Sequence, residues 1–277
     1  MRVHHLNCAT LCPLGGLLYN GCGPLFGRGR LICHCLLIET EDGLVLVDTG
    51  LGTGDIVDPR RLRYEFLIPW APPLRREETA VHQVAALGFK PEDVRHIVLT
   101  HLDLDHAGGL GDFPKAKVHV MAAEHEAAMA RRTWIEKRRY VPAQWAHGPD
   151  WAFHDAAAGE RWFGFDSVTA LKAGAAEVLL VPLIGHTRGH CGVAVNAGQG
   201  WLLHCGDAYF FHREMEQPPL CTPGLGFFQW MTEMDRKARL ANQSRLRDLV
   251  NGRDQNVQVF CAHDPVELRQ MQGSHRH

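Results

Sequence analysis

The chain has 277 residues, 45% hydrophobic and 22% charged, which is enough apolar material for a large core and excludes a disordered or fibrous architecture. Lys and Arg number 29 against 31 Asp and Glu, for a formal net charge of -2, so no basic excess exists to hold a phosphate backbone and nucleic acid is not an expected partner. The longest apolar runs, such as 178–184, are interrupted by Pro182 and fall short of the ~20 residues a membrane helix needs. His4, His5, Asn7 and two cysteines stand in residues 1–16, where a secretory peptide needs an unbroken apolar stretch. The expectation is a soluble cytoplasmic protein with nine reduced cysteines and no membrane partner. The unusual count is histidine, at 18, a hint of metal chemistry.

In chain order, 31–39 and 43–48 read as two apolar strands joined by a turn around Glu41-Asp42-Gly43. Residues 49–76 are rich in Gly, Pro and Arg and read as a long loop with short helical pieces. Residues 77–87 have helical spacing closed by Gly88, and a strand follows at 96–100. A strand at 117–121 leads into a helix over 122–139. Residues 140–170 then scatter Trp145, Trp151, Phe153, Trp162, Phe163 and Phe165 among Gly, Pro and Asp, the pattern of a wall over a pocket or of a satellite core under a loop. Further strands are expected at 178–182, 192–196, 201–205 and 257–261, with a charged amphipathic helix at 232–250. Strands alternate with helices throughout, which argues for an α/β layered fold in one domain.

The most informative segment is Thr100-His101-Leu102-Asp103-Leu104-Asp105-His106-Ala107-Gly108-Gly109. Directly after an apolar strand it brings two imidazoles and two carboxylates together, with glycines that let the backbone turn tightly behind them. A solvated loop would expose Leu102 and Leu104 without gain. Ligand-type residues recur at other strand ends: Gly185-His186-Thr187-Arg188-Gly189-His190, Gly206-Asp207 and His263-Asp264. Open α/β sheets build their sites at such ends. Gly50-Leu51-Gly52-Thr53-Gly54 lacks the helix-forming run of a dinucleotide loop and reads as a tight turn beside the site. Cys33, Cys35, Cys191 and Cys205 read as small buried residues.

Together with Asp48-Thr49-Gly50, these motifs, in this order from about Leu31 to Asp264, resemble the metallo-β-lactamase superfamily. The resemblance implies an αββα sandwich, two mixed β-sheets flanked by helices, as a single domain over 1–277 with loop insertions at about 51–76 and 140–170. It places one divalent metal on His101, Asp103 and His190 and a second on Asp105, His106 and His263, bridged by Asp207, with Asp48 supporting the site from behind and the His186-Thr187 pair in the loop that presents His190. Zinc is the first expectation, with iron or manganese as alternatives. Asp103 stands where the family commonly has histidine. The carboxylate replaces a neutral nitrogen with an anionic oxygen and predicts a weaker Lewis acid, more tolerant of iron or manganese.

Two such metals serve hydrolysis through a bridging hydroxide, with Asp105 to orient it and Tyr209 as a candidate oxyanion contact. The segments 112–118, Ala123-Glu124 and Arg139-Tyr140-Val141-Pro142 with Trp145 are similar to acyl-homoserine-lactone hydrolases, which implies a small ester or lactone substrate. A glyoxalase-II-like thioesterase and a non-catalytic binding module with an altered metal site are the alternatives. For the thioesterase, Arg236, Lys237, Arg239, Arg245 and Arg247 would have to mimic a basic anchor. The loop 53–73 raises the expectation of a homodimer.

Overall fold

The computed structural model describes residues 2–155, 159–173, 176–196, 198, 200–252 and 256–274. One sheet is built from β1 (Arg2–Leu11), β2 (Leu31–Thr40), β3 (Gly43–Val47), β4 (Val94–Val98), β5 (Lys117–Met121) and β6 (Asp150–His154), paired in chain order. The other holds β7 (Glu160–Trp162), β8 (Phe165–Ala173), β9 (Ala176–Pro182), β10 (Cys191–Asn196), β11 (Trp201–His204) and β12 (Val257–Phe260), again with chain neighbours side by side. Both sheets are mixed. β1 to β3 are antiparallel and β3 to β6 parallel, whereas β7 to β11 are antiparallel and only β11 and β12 run parallel.

Alternation along the strands explains the layers. In β3, Val45 and Val47 face inward to meet Val178 and Leu180 of β9 in the core between the sheets. Leu44 and Leu46 face outward onto Ala80 and Val84 of the helix Ala80–Ala86, beside Ala127 and Ala128 of the helix Ala122–Ala130. On the other side, Leu179 and Val181 of β9 pack under Leu246 of the helix Arg236–Asn251. Strands buried on both faces have no polar side to show, which is why they read as unbroken apolar runs. The molecule is the expected αββα sandwich. No helix among the described residues is long and apolar enough to cross a membrane.

Three elements differ from their sequence pattern. The helix expected over 122–139 breaks after Ala130, where Arg131 takes a left-handed conformation at φ 42°, and restarts as Trp134–Arg139 under a capping box of Thr133 and Glu136. That break turns Trp134, Arg138 and Arg139 toward the site. The helix expected from 232 begins only at Arg236, capped by Asp235, and is preceded by a separate helix at Pro223–Thr232. The described residues of 140–170 include β6, β7 and the first part of β8. Trp145 is buried against the first helical layer and Trp162 and Phe165 against the second, so the satellite-core alternative holds for these aromatics.

Candidate metal centre

The ligand-type residues converge at one edge of the sandwich, beyond the ends of β3, β4, β9, β11 and β12. Each is aimed by a hydrogen bond on its far side. Asp48, directly after β3, accepts from the Thr100 backbone N–H at 2.8 Å and hydroxyl at 2.7 Å, and its Oδ2 accepts from His106 Nδ1 at 2.8 Å. Since the Thr100 hydroxyl donates to Asp48, it accepts from His101 Nδ1, 2.9 Å away. His263 Nδ1 donates to the Ile32 carbonyl at 2.7 Å. In all three rings the Nε2 lone pair is thereby left facing inward, the tautomer that metal ligation needs.

Two donor sets result. His101, Asp103, His186 and Asp207 form one, and His106, His263 and Asp207 the other, with the atoms of each set within 4.8 Å of one another. Asp207 divides its oxygens between them. Oδ2 lies 3.3 Å from His186 Nε2 and 3.8 Å from His101 Nε2, while Oδ1 lies 3.2 Å from His106 Nε2 and 3.0 Å from His263 Nε2. Asp105 joins the second set, its Oδ2 3.8 Å from His263 Nε2.

These residues fit a pair of cations. His101 Nε2, Asp103 Oδ1 and Asp207 Oδ1 are buried without a hydrogen-bond partner, a costly arrangement unless an ion satisfies them. Burial pushes the Asp207 carboxyl up, but His263, His106 and His186 outweigh it and hold the group well below the carboxylate range. Burial likewise opposes charge on His106, yet Asp207 and Asp48 hold its pKa well above the ordinary value. The centre therefore draws positive charge, and a divalent ion can stand where those protons would.

The first set rests on two buried charges. Glu124 at the start of the helix Ala122–Ala130 accepts from the Leu102 N–H, the Tyr140 and Thr187 hydroxyls and the Gly189 N–H, tying the loop of His101 and Asp103 to that of His186. Arg139 donates to the His186 carbonyl at 3.0 Å and to the Thr232 carbonyl, and its guanidinium lies 3.4 Å from Asp103 Oδ2. Against the burial that pushes it up, Arg139, His101 and His186 hold the Asp103 carboxyl well below its usual value. Burial and Arg139 push the His186 imidazole down to about 4.

Two expected residues lie elsewhere. His190 is not in either set: its Nδ1 donates to the Leu183 carbonyl at 2.9 Å, and its Nε2 accepts the Asp207 backbone N–H at 2.9 Å. His186 takes the place expected for it, 3.0 Å from Asp103, while His190 holds Asp207 from behind. Gly206, at φ 51°, makes this approach feasible, since a Cβ there would sit 2.7 Å from His190 Nε2. Tyr209 turns into the core, where its hydroxyl donates to Glu267 Oε1 at 2.8 Å and burial pushes the Glu267 carboxyl up to about 8. Phe210 faces the site instead, stacked on His263 at 5.2 Å and 10°. The chain turns after Asp207, so strand alternation no longer tells which side chain points inward.

Residues 50–52 make the tight turn expected beside the site, the preceding Thr49 N–H donating to the His106 carbonyl at 2.8 Å, but a short helix, Thr53–Val57, follows where no helix-forming run was expected. Above the centre opens a cavity of about 500 Å³ with Asp103, Asp105, Asp207 and His263 on its floor. Its apolar wall comes from Leu31, Phe66, Trp70, Phe210, Phe227 and Phe228, and its rim from Arg63, Trp134 and Arg138. The loop of 51–76 supplies part of this wall; none of the aromatics of 140–170 does.

The family model described as the metallo-beta-lactamase superfamily matches residues 28–251. A relative from Mycobacterium tuberculosis named as a probable metallo-hydrolase is 43% identical over 96% of this chain and 81% of its own length. The N-acyl homoserine lactonase of Bacillus cereus is 35% identical over 37% of this chain and 42% of its own. Among solved structures, an N-acyl homoserine lactone hydrolase, with its product N-hexanoyl-L-homoserine at the catalytic metal centre, superposes with a TM-score of 0.70 at 22% identity, covering 97% of this chain and 95% of that one. The chain belongs to the metallo-β-lactamase superfamily, as a metallo-hydrolase that resembles its lactonase members.

Proposed function

We propose that the protein is a dinuclear, zinc-dependent hydrolase that opens a lactone or ester carrying an apolar tail. The observation that carries this reading is Asp207, whose two oxygens face separate donor sets at the floor of an apolar cavity. Imidazole and carboxylate together suit zinc. When bound, a pair of such ions lowers the pKa of a water and polarises a carbonyl oxygen.

The residues do the rest. His101, Asp103 and His186 would hold one ion and Asp105, His106 and His263 the other, with Asp207 supplying an oxygen to each. Asp105 opens on the cavity floor and is placed to take the proton of the attacking water and return it to the leaving oxygen. Phe66, Trp70, Phe210 and Phe228 exclude water and receive the tail, and Arg139 keeps Asp103 ionised. None of Arg236, Lys237, Arg239, Arg245 and Arg247 lines the cavity, so the basic anchor considered for a glutathione thioester is not at hand there.

The test is hydrolysis of acyl-homoserine lactones of increasing chain length against a glutathione thioester, with zinc-loaded protein. Each buried methylene is worth about 0.8 kcal/mol, so kcat/KM is expected to rise roughly fourfold per added methylene until the cavity is filled. Turnover of the thioester alone would overturn the lactone reading.

A further inference from the structure

We infer that the sulfur of Cys33 is a ligand of the second metal, beside Asp105, His106, Asp207 and His263. This rests on the dinuclear reading above. β2 runs antiparallel to β3, so its first residues lie next to the end of β3, where the centre is built. There Cys33 Sγ lies 3.8 Å from Asp105 Oδ2, and it falls within 4.8 Å of the donor atoms of both Asp105 and His263. Two neighbouring ligands of one five-coordinate zinc, at about 2.3 Å for sulfur and 2.0 Å for oxygen, stand roughly 3.0 to 3.7 Å apart. The observed spacing needs only a small contraction around an ion. Independently, Asp207 Oδ1 is buried without a hydrogen-bond partner and lies 3.0 Å from His263 Nε2. It points at the ring of His263, a donor atom of which lies within 4.8 Å of Cys33 Sγ.

Cys33 is 2% exposed and packs among Ala9, Leu51, Leu62, Leu104 and Val141. Cys35, two residues along the same strand face, lies within the helix-covered core and is an ordinary buried thiol. Position at the end of β2 separates the two. Coordination forms a sulfur–metal bond, breaks the S–H bond and releases its proton to solvent, with no change in oxidation state. The thiolate joins Asp103, Asp105 and Asp207, so four negative charges balance two divalent ions before any water is ionised. A soft donor at the second position also favours zinc or cobalt over manganese, which counters the tolerance expected from Asp103.

X-ray absorption on the zinc-loaded wild type is expected to show a sulfur scatterer at about 2.3 Å, near half a sulfur per zinc. In the cobalt-loaded protein, a sulfur-to-cobalt charge-transfer band in the near ultraviolet should vanish in Cys33→Ser and persist in Cys221→Ser. Two bound metals with only nitrogen and oxygen neighbours, or a band that survives Cys33→Ser, would overturn the inference and leave the dinuclear reading standing. A wild type that binds fewer than two metals would overturn both. The wild-type absorption measurement decides the matter even if Cys33→Ser does not fold.

Discussion

The two donor sets share Asp207 but are held in place by different means. Behind the second set, the Asp48 carboxylate orients His106 and a backbone carbonyl orients His263, while the Thr100 hydroxyl that donates to Asp48 accepts from His101 of the first. Behind the first, full charges meet. Arg139 lies against Asp103, and Glu124 ties both ligand loops together through hydrogen bonds to backbone and hydroxyl groups. The difference follows from the residue at 103. An imidazole needs one acceptor to fix its tautomer, whereas a buried carboxylate needs a cation, and the Trp134–Arg139 helix supplies one. A departure from the common ligand pattern is thus accommodated by a partner on a helix distant in sequence.

Removing the shared member abolishes the comparison altogether. Asp207→Ala is expected to lower kcat by on the order of 10³-fold or more, since the group acts with both sets at once, and elemental analysis should show the loss of at least one metal per chain. A variant that keeps two metals and most of its activity would refute the bridging role.

The next largest effects should separate the sets. Arg139→Leu is expected to weaken metal binding about 10- to 100-fold at one site and leave the other nearly unchanged, giving a biphasic zinc titration. Asp103→His alone places an imidazole against the guanidinium and should weaken the same site, whereas Asp103→His with Arg139→Leu should recover it. If the single and double variants bind alike, charge pairing is not what holds Asp103. Asp48→Asn acts on the opposite set, with a loss of about 10-fold expected at the site of His106. Equal loss at both sites in that titration would erase the distinction.

Smaller still is the contribution of the wall. Phe210→Ala is expected to flatten the dependence of kcat/KM on acyl chain length while zinc content stays at the wild-type level, because the ring packs on His263 without ligating. Unchanged chain-length dependence would place the tail elsewhere.

The smallest effect lies away from the centre, on histidines with no carboxylate partner among the contacts described. His119 accepts or donates at 2.9 Å to His96 and at 3.0 Å to His154 across β4, β5 and β6. Burial, followed by the two neighbouring imidazoles, pushes it down to about 3. The folded value lies below the unfolded 6.5, so its contribution is complete above that pH and is lost as pH falls from there toward 3. His119→Gln should remove up to about 2 kcal/mol of the decline in stability between pH 7 and pH 5, read from denaturant midpoints. His106 and His263, flanked by carboxylates, behave in the opposite sense.

Much of the site was legible because it stands at the ends of regular strands. Val178 to Val181 announces itself as an apolar run buried on both faces, and Trp201 to His204 and Val257 to Phe260 as short strands rich in apolar residues, and the polar residue that follows such a strand has few roles besides the site. The helix break at Arg131 was written in Thr133 and Glu136, a capping pair overlooked beneath a continuous run of helix formers. β1 was hidden because His4, His5 and Asn7 are satisfied by tertiary partners, such as His34 for His5 at 2.8 Å, that no local pattern reveals.

By itself, then, the sequence determined the layers, the edge where the chemistry sits and most of the ligand types, because burial on strand faces repeats with a period of two and leaves its mark on neighbouring residues. Tertiary structure alone decided between His186 and His190, between Tyr209 and Phe210, and which aromatic segments form the cavity wall. These choices lie in turns, where the backbone has no fixed period and a side chain's direction is set by contacts distant in sequence: Glu124 and Arg139 for the loop of His186, the Leu183 carbonyl and Asp207 N–H for His190, and Glu267 for Tyr209.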